Sequence, residues 1–150
     1  MVYGPAETAR RKLYIREVTG EGGNHGQRVN GIQVWCGGKD GESWCMYFAT
    51  WILDECFQGD APIPRQGSCE AVHQLALANG WTAPTPVVDD LVLSINDQGL
   101  AHHVGIVSSL DPLSSIAGNT SADGVSSNGD RVAEHAISAA GKVFVHFPRV

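Results

Sequence analysis

The chain has 150 residues, 43% hydrophobic and 17% charged, the composition of one globular domain able to build a core without disulfide or metal staples. Sixteen acidic against ten basic side chains give a net charge of −6 with no basic run or basic-aromatic stripe, which argues against a nucleic-acid partner. No apolar run approaches the ~18 residues of a membrane span, and the N-terminal residues lack the basic-then-apolar order of a signal peptide. Synthesis in a cytoplasm without membrane insertion is therefore expected.

In chain order, Pro5 to Val18 reads as a first helix, with Pro5 and Glu7 suited to its first turn. The glycine-rich segment from Gly20 to Gly26 reads as a loop, since neither a Lys-Ser/Thr pair nor a preceding strand makes it a phosphate cradle. Val29, Ile32 and Trp35 share one face of a short helix. The most hydrophobic helix runs from Trp44 to Phe57, where Tyr47, Thr50, Asp54 and Glu55 leave a thin stripe for water. Ser68 caps a further helix that carries Cys69, Val72, Leu75 and Ala76 on one face and stops at Asn79-Gly80.

From Trp81 the pattern changes. Thr82 to Pro86 is turn-like, Leu91 to Ile95 is a strand, Asn96 to Gly99 a hairpin connection, and His103 to Val107 a second strand. Ser108 to Ser115 is expected to turn, Ile116 to Thr120 to form a third strand, and Ser121 to Asp130 an exposed loop. Arg131 to Ile137 and Lys142 to Phe147 supply the last strands. Helices followed by an antiparallel sheet make the fold class α+β.

The chemistry centres on Cys45. With Ser43 as N-cap, its thiol lies in the first turn of the hydrophobic helix, where free backbone N–H groups and the helix dipole favour a thiolate. The competing reading is one more core cysteine, because free Cys is among the most buried residue types. His102 and His103 adjoin; strand alternation groups His103 with Gly105 and Val107, and His102 with Val104 and Ile106. A glycine two positions from His103 leaves room for the helix end or a substrate. Asn119, at the end of the neighbouring strand, is placed to orient an imidazole, as third residues do in cysteine-nucleophile systems. The other histidines, His25, His73, His135 and His146, are assigned structural roles. Asn119-Thr120-Ser121 is formally a glycosylation sequon, read as chance without a secretory signal. The cysteines Cys36, Cys45, Cys56 and Cys69 form no C-x-x-C pair, which argues against a zinc knuckle or redox dithiol; the disulfide worth testing is Cys56 with Cys69.

Trp44-Cys45-x-x-Phe48, Asp90-Leu-Val-Leu, His103-Val-Gly-Ile-Val and Gly118-Asn-Thr, in that order, resemble the successive motifs of the CHAP family, the cysteine, histidine-dependent amidohydrolases/peptidases of papain-like fold. The segment Glu21-Gly-Gly-Asn24 with Gly26 and Val29 resembles what precedes the nucleophile in one branch of the family, so the likeness spans Thr19 to Thr120 and, more weakly, to Phe147. The resemblance implies N-terminal helices packed on a C-terminal antiparallel sheet. It further implies Cys45 as nucleophile, His103 as general base and then acid, Asn119 as orienting residue, and the Cys45 backbone N–H as an oxyanion donor. The chain departs from the family in two places: Ala117 stands where a glutamate is frequent, and His102 where a glycine is usual. Some relatives hold calcium ahead of the cysteine, but Asp40 and Glu42 alone fall short of the six to eight oxygens that ion takes. No metal or other cofactor is expected.

By this resemblance the expected substrate and partner is bacterial peptidoglycan, cut at an N-acetylmuramoyl-L-alanine amide or a peptide bond through a thioester. Trp35, Trp44, Trp81 and His102 are candidate substrate-lining residues, with core packing the favoured reading for Trp44. A monomer is expected, reaching the wall through a phage lysis or tail apparatus, a dedicated secretion system or a wall-targeting partner. Phage-type lysis comes first and a secreted antibacterial effector second. An amine acyltransferase on the same scaffold and a non-catalytic wall-binding module remain open alternatives.

Overall fold

A computed structural model describes residues 3–18, 22–121 and 129–148. Among these, four helices precede a six-stranded antiparallel sheet, so the α+β class holds. The helices are α1 (Pro5–Arg10), α2 (Gln27–Trp35), α3 (Cys45–Cys56) and α4 (Cys69–Asn79). The strands are β1 (Thr82–Ala83), β2 (Leu91–Ile95), β3 (Ala101–Leu110), β4 (Leu113–Thr120), β5 (Arg131–Ala136) and β6 (Lys142–Val145), in the spatial order β1-β6-β2-β3-β4-β5. The last strand thus inserts between β1 and β2.

Three boundaries differ from the sequence reading, each because a tertiary hydrogen bond overrides local preference. The first helix ends at Arg10 instead of Val18: Arg16 bridges to Arg131, and Ile15 O accepts from Val132 N at 3.0 Å, so the chain leaves helix to meet β5. The expected turn from Ser108 to Ser115 is mostly strand. There β3 and β4 form a hairpin pairing Leu110 with Leu113 and Ser109 with Ser114, a ladder in which serines occupy positions that propensity gives to turns. Thr82-Ala83, read as turn, pairs with Val145 and Phe144. The expected loop from Ser121 to Asp130 lies mainly outside the described residues.

The main core lies between the helices and one face of the sheet, where Leu91, Leu93, Val104, Ile106, Ile116 and Val145 meet side chains from all four helices. Val92, Val107 and Phe144 form a smaller cluster of their own, as the two-residue period of a strand demands. The α3 helix sits at the centre, packed on β3 and β4. Its Met46, Phe48, Ile52 and Leu53 are fully buried, each contributing ~1.5–3 kcal/mol of hydrophobic stabilisation. Its wet stripe is narrower than the sequence implies. Tyr47 and Thr50 are buried, with Tyr47 Oη donating to Glu42 at 3.2 Å and Thr50 Oγ1 to Gln66 O at 2.9 Å.

Candidate active site

Cys45 is the first residue of α3. The N-cap is Trp44, with backbone φ −120° and ψ 12°, and not Ser43; Trp44 O accepts from Phe48 N at 2.9 Å. No side chain of the N-cap residue takes up the helix-end N–H groups, so they stay directed at the end of the helix where the thiol sits. Cys45 is 5% exposed, and its sulfur lies 3.8 Å from that of Cys69, the first residue of α4.

The electrostatics single out this thiol. Hydrogen bonding from the Cys69 thiol, then hydrogen bonding and charge from the His103 imidazole and the Val104 backbone, hold Cys45 well below the ordinary thiol range, against the burial that opposes ionisation. The other three cysteines move the opposite way. Burial pushes Cys36 up to about 11 and raises Cys56, while the hydrogen bond to Cys45, followed by burial, drives Cys69 up.

His103 reaches Cys45 from a distorted strand end. Ser94 pairs with His103 but Ile95 with Ala101, so β3 carries one extra residue, His102, at a bulge of the kind that re-aims side chains beside active sites. The room beside Gly105, read as space for the helix end or a substrate, is filled by Ser115: a Cβ there would meet Ser115 Oγ at 2.8 Å. The start of α4 clamps the same strand end. Glu70 Oε1 accepts from Ala101 N at 2.8 Å and from His73 Nδ1 at 3.0 Å, which makes one helical turn hold Cys69 against Cys45 and Glu70 against the strand bearing His103.

Asn119 is 1% exposed and adopts φ 53°, left-handed backbone that Asn tolerates better than most residues. It sits where the β4–β5 register shifts between Ala117 and Thr120, so β4 also bulges at its candidate residue. No hydrogen bond joins Asn119 to His103. Instead, Asn119 Oδ1 and His103 Nδ1 are both buried without a partner among the described residues. The pair is chemically complementary, since Nδ1–H is a donor in one neutral tautomer and in the cation, and Oδ1 is an acceptor. Ala117 is 1% exposed opposite Ala133. At that depth Asn119 is also closed to the glycosylation its sequon formally allows.

The candidate lining residues are scattered. Trp44 is a core residue, fully buried, edge-to-face with Phe48 and donating Nε1–H to Glu17 at 2.9 Å; it has no surface to offer a substrate. Trp81 packs edge-to-face on Phe147 with centroids 5.4 Å apart. Trp35 lines a cavity of about 300 Å³ with Tyr14 and Trp51, and the Arg65 guanidinium lies 3.9 Å over its ring. His102 is exposed beside His103. Of the histidines assigned structural roles, His73 meets Glu70, His135 meets Thr120 and His146 meets Asp90.

Sequence reasoning missed four supporting residues. Cys69 and Glu70 are two, and the signal for the first was that it opens its helix as Cys45 does. Glu17 and the fully buried Gln33 are the others. Glu17 joins Trp44 to Asn24 N, and Gln33 Nε2 donates to Asn24 O at 3.1 Å and Glu42 O at 2.6 Å, tying together the loops that lead into α3. All four cysteines are free, and the disulfide worth testing, Cys56 with Cys69, is not formed: the neighbour of Cys69 is Cys45, while Cys56 donates to Thr8 Oγ1 at 3.1 Å. Among the described residues no group of three or more His, Cys, Asp or Glu is gathered to hold a metal ion, and no helix is long and apolar enough to cross a membrane.

Comparison with protein-family models, with curated proteins and with solved structures gives no match for this chain.

Proposed function

We propose that the chain is a cysteine-dependent amidohydrolase with a papain-like arrangement, similar to CHAP enzymes, that cleaves an amide bond of bacterial peptidoglycan, most directly in phage-type lysis. The observation that carries the reading is the placement of Cys45, the buried first residue of α3, with its sulfur 3.8 Å from that of Cys69; the Cys69 thiol and then the His103 imidazole hold it below the ordinary thiol range. In this reading the Cys45 thiolate attacks the carbonyl carbon and the Cys45 backbone N–H receives the oxyanion. His103 protonates the departing amine to leave a thioester, then takes a proton from the water that releases the acyl group. Asn119 orients the ring by accepting from Nδ1–H; supporting this, Asn119 Oδ1 and His103 Nδ1 are both buried without a partner among the described residues.

Mass spectrometry of sacculi digested by wild type and by Cys45→Ala tests the proposal. Soluble fragments from wild type alone are expected, and identical fragment patterns from both would overturn it. Iodoacetamide supplies a substrate-free check: Cys45 is expected to alkylate faster at neutral pH than the same cysteine in urea. A non-catalytic wall-binding module is the second reading, favoured by the unmade Asn119–His103 bond and by Ala117. Retention of sacculi without fragment release would select it.

A further inference from the structure

Cys45 and Cys69 lie 24 residues apart, each the first residue of its helix, with sulfurs 3.8 Å from one another and both side chains buried. The chain thus brings two thiols into van der Waals contact although no C-x-x-C pair exists in the sequence. We propose that Cys45 and Cys69 are an oxidation site, in which a peroxide converts the nucleophile to a sulfenic acid that Cys69 captures as a reversible disulfide. As regulation of the catalytic thiol, the inference rests on the function proposed above; as thiol chemistry it stands on the sulfur contact.

The chemistry balances without a further reagent. The Cys45 thiolate attacks one oxygen of hydrogen peroxide, an S–O bond forms, the O–O bond breaks, and the hydroxide that leaves takes up the proton that Cys45 released on ionising, to become water. The Cys69 sulfur then attacks the sulfenic sulfur. An S–S bond forms, the S–O bond breaks, and the departing hydroxide takes the Cys69 proton to become water. Two thiols are oxidised by two electrons as the peroxide is reduced to two waters, and an added dithiol reverses the step. A disulfide is ~2.05 Å long, so the sulfurs must close by about 1.8 Å, within reach of side-chain rotation and a small shift of either helix end. The order of events follows from the environments. Cys45 is held toward thiolate and reacts first, whereas Cys69 is held as a thiol and donates to it. The 5% exposure of Cys45 suits an oxidant the size of water better than a bulky disulfide.

Trypsin cutting after Arg65 places Cys45 and Cys56 in residues 40–65 and Cys69 in residues 66–131, so the bond can be mapped without reduction. The experiment exposes wild type, Cys45→Ser, Cys56→Ser and Cys69→Ser to hydrogen peroxide, blocks free thiols with N-ethylmaleimide, digests, and reads the peptides by mass. Wild type and Cys56→Ser are expected to yield the two peptides joined, with both thiol hydrogens lost; Cys45→Ser and Cys69→Ser are expected to yield none. Dithiothreitol should restore sacculus digestion in oxidised wild type but not in oxidised Cys69→Ser, whose Cys45 proceeds to sulfinic acid. Wild type giving sulfinic acid without the joined peptides overturns the proposal, as does equal recovery in Cys69→Ser. Should circular dichroism show Cys69→Ser unfolded, the wild-type and Cys56→Ser maps decide alone. The joined peptides are read without substrate. Their formation in a protein that leaves sacculi intact removes the hydrolase reading and keeps the dithiol, and solubilised sacculi without them do the reverse.

Discussion

Replacing Gly118 by alanine tests how tightly α3, the helix that Cys45 opens, is seated on the sheet. An ideal Cβ at this position would lie 2.7 Å from Phe48 Cβ and 2.9 Å from Trp44 Cζ3, both on residues at most 1% exposed. Carbon atoms in ordinary contact stand ~3.5–4.0 Å apart, so the new methyl intrudes by about 1 Å into atoms with nowhere to retreat. Overpacking of this kind costs ~1–3 kcal/mol. Gly118 is not among the residues with positive φ, so alanine also gains ~0.4–1 kcal/mol by restricting the unfolded chain. The steric cost wins, leaving a net loss of about 1–2 kcal/mol and, at ~2–4 °C per kcal/mol for a chain of this size, a melting temperature lower by roughly 2–8 °C. Because the clash is with Trp44 and Phe48, the start of α3 must shift and Cys45 with it. Thermal melts followed by circular dichroism should show the drop, and iodoacetamide should alkylate Cys45 more slowly at neutral pH. An unchanged or higher melting temperature, with alkylation as fast as wild type, would refute the packing argument.

Asn119→Gly separates orientation from folding: glycine accepts φ 53° without strain, so the melting temperature should hold or rise while sacculus digestion falls at least ~10-fold. Activity lost only in step with stability would leave Asn119 a structural residue. The Glu70 carboxyl is held down to about 2, first by Ala101 N–H and then by Gln74 and His73, whereas an unfolded glutamate titrates near ~4.3. A depressed folded value means its contribution is present above ~4.3 and lost as pH falls toward about 2. Glu70→Gln should therefore melt below wild type at neutral pH, with the gap closing through that acid window; a gap independent of pH would contradict the assignment. Gln33→Leu removes two hydrogen bonds to the loops before α3, each worth ~0.5–1.5 kcal/mol. Urea denaturation should register a loss of about 1–3 kcal/mol, and trypsin should cut faster after Lys39; wild-type values for both would show that these loops hold without Gln33.

Where side-chain pattern and local capping agree, the sequence reads directly. Ser68 Oγ accepts from Ala71 N and Gly80 closes α4 with φ 69°, so that helix has the limits its residues announce. Leu91 to Ile95 is a strand because a short apolar run is bounded by turns. The nucleophile candidate was legible for the same reason, as a cysteine at the head of an apolar run. The pairing of Cys45 with Cys69 was not, because thiols that meet across two helix starts leave no spacing to recognise. Strict alternation sets His103 beside Gly105, and a single inserted residue, His102, distorts the strand that carries it. Trp44 stands between groove and core on sequence, with the core favoured, and Glu17 and Phe48 enclose it there.

Taken alone, the sequence determined the class of the fold, the order of the four helices and of the strands from β2 onward, and the thiol placed at the head of an apolar helix. Each depends on neighbours within a few residues: a cap, a period, a helix end. The tertiary structure decided that β6 lies between β1 and β2, that the first helix yields to a bridge with β5, and that the start of α4 holds Cys69 against Cys45 and Glu70 against the strand that carries His103. Those outcomes depend on hydrogen bonds and contacts between residues far apart in the chain, formed only once burial has brought their elements together. Local sequence carries no term for them.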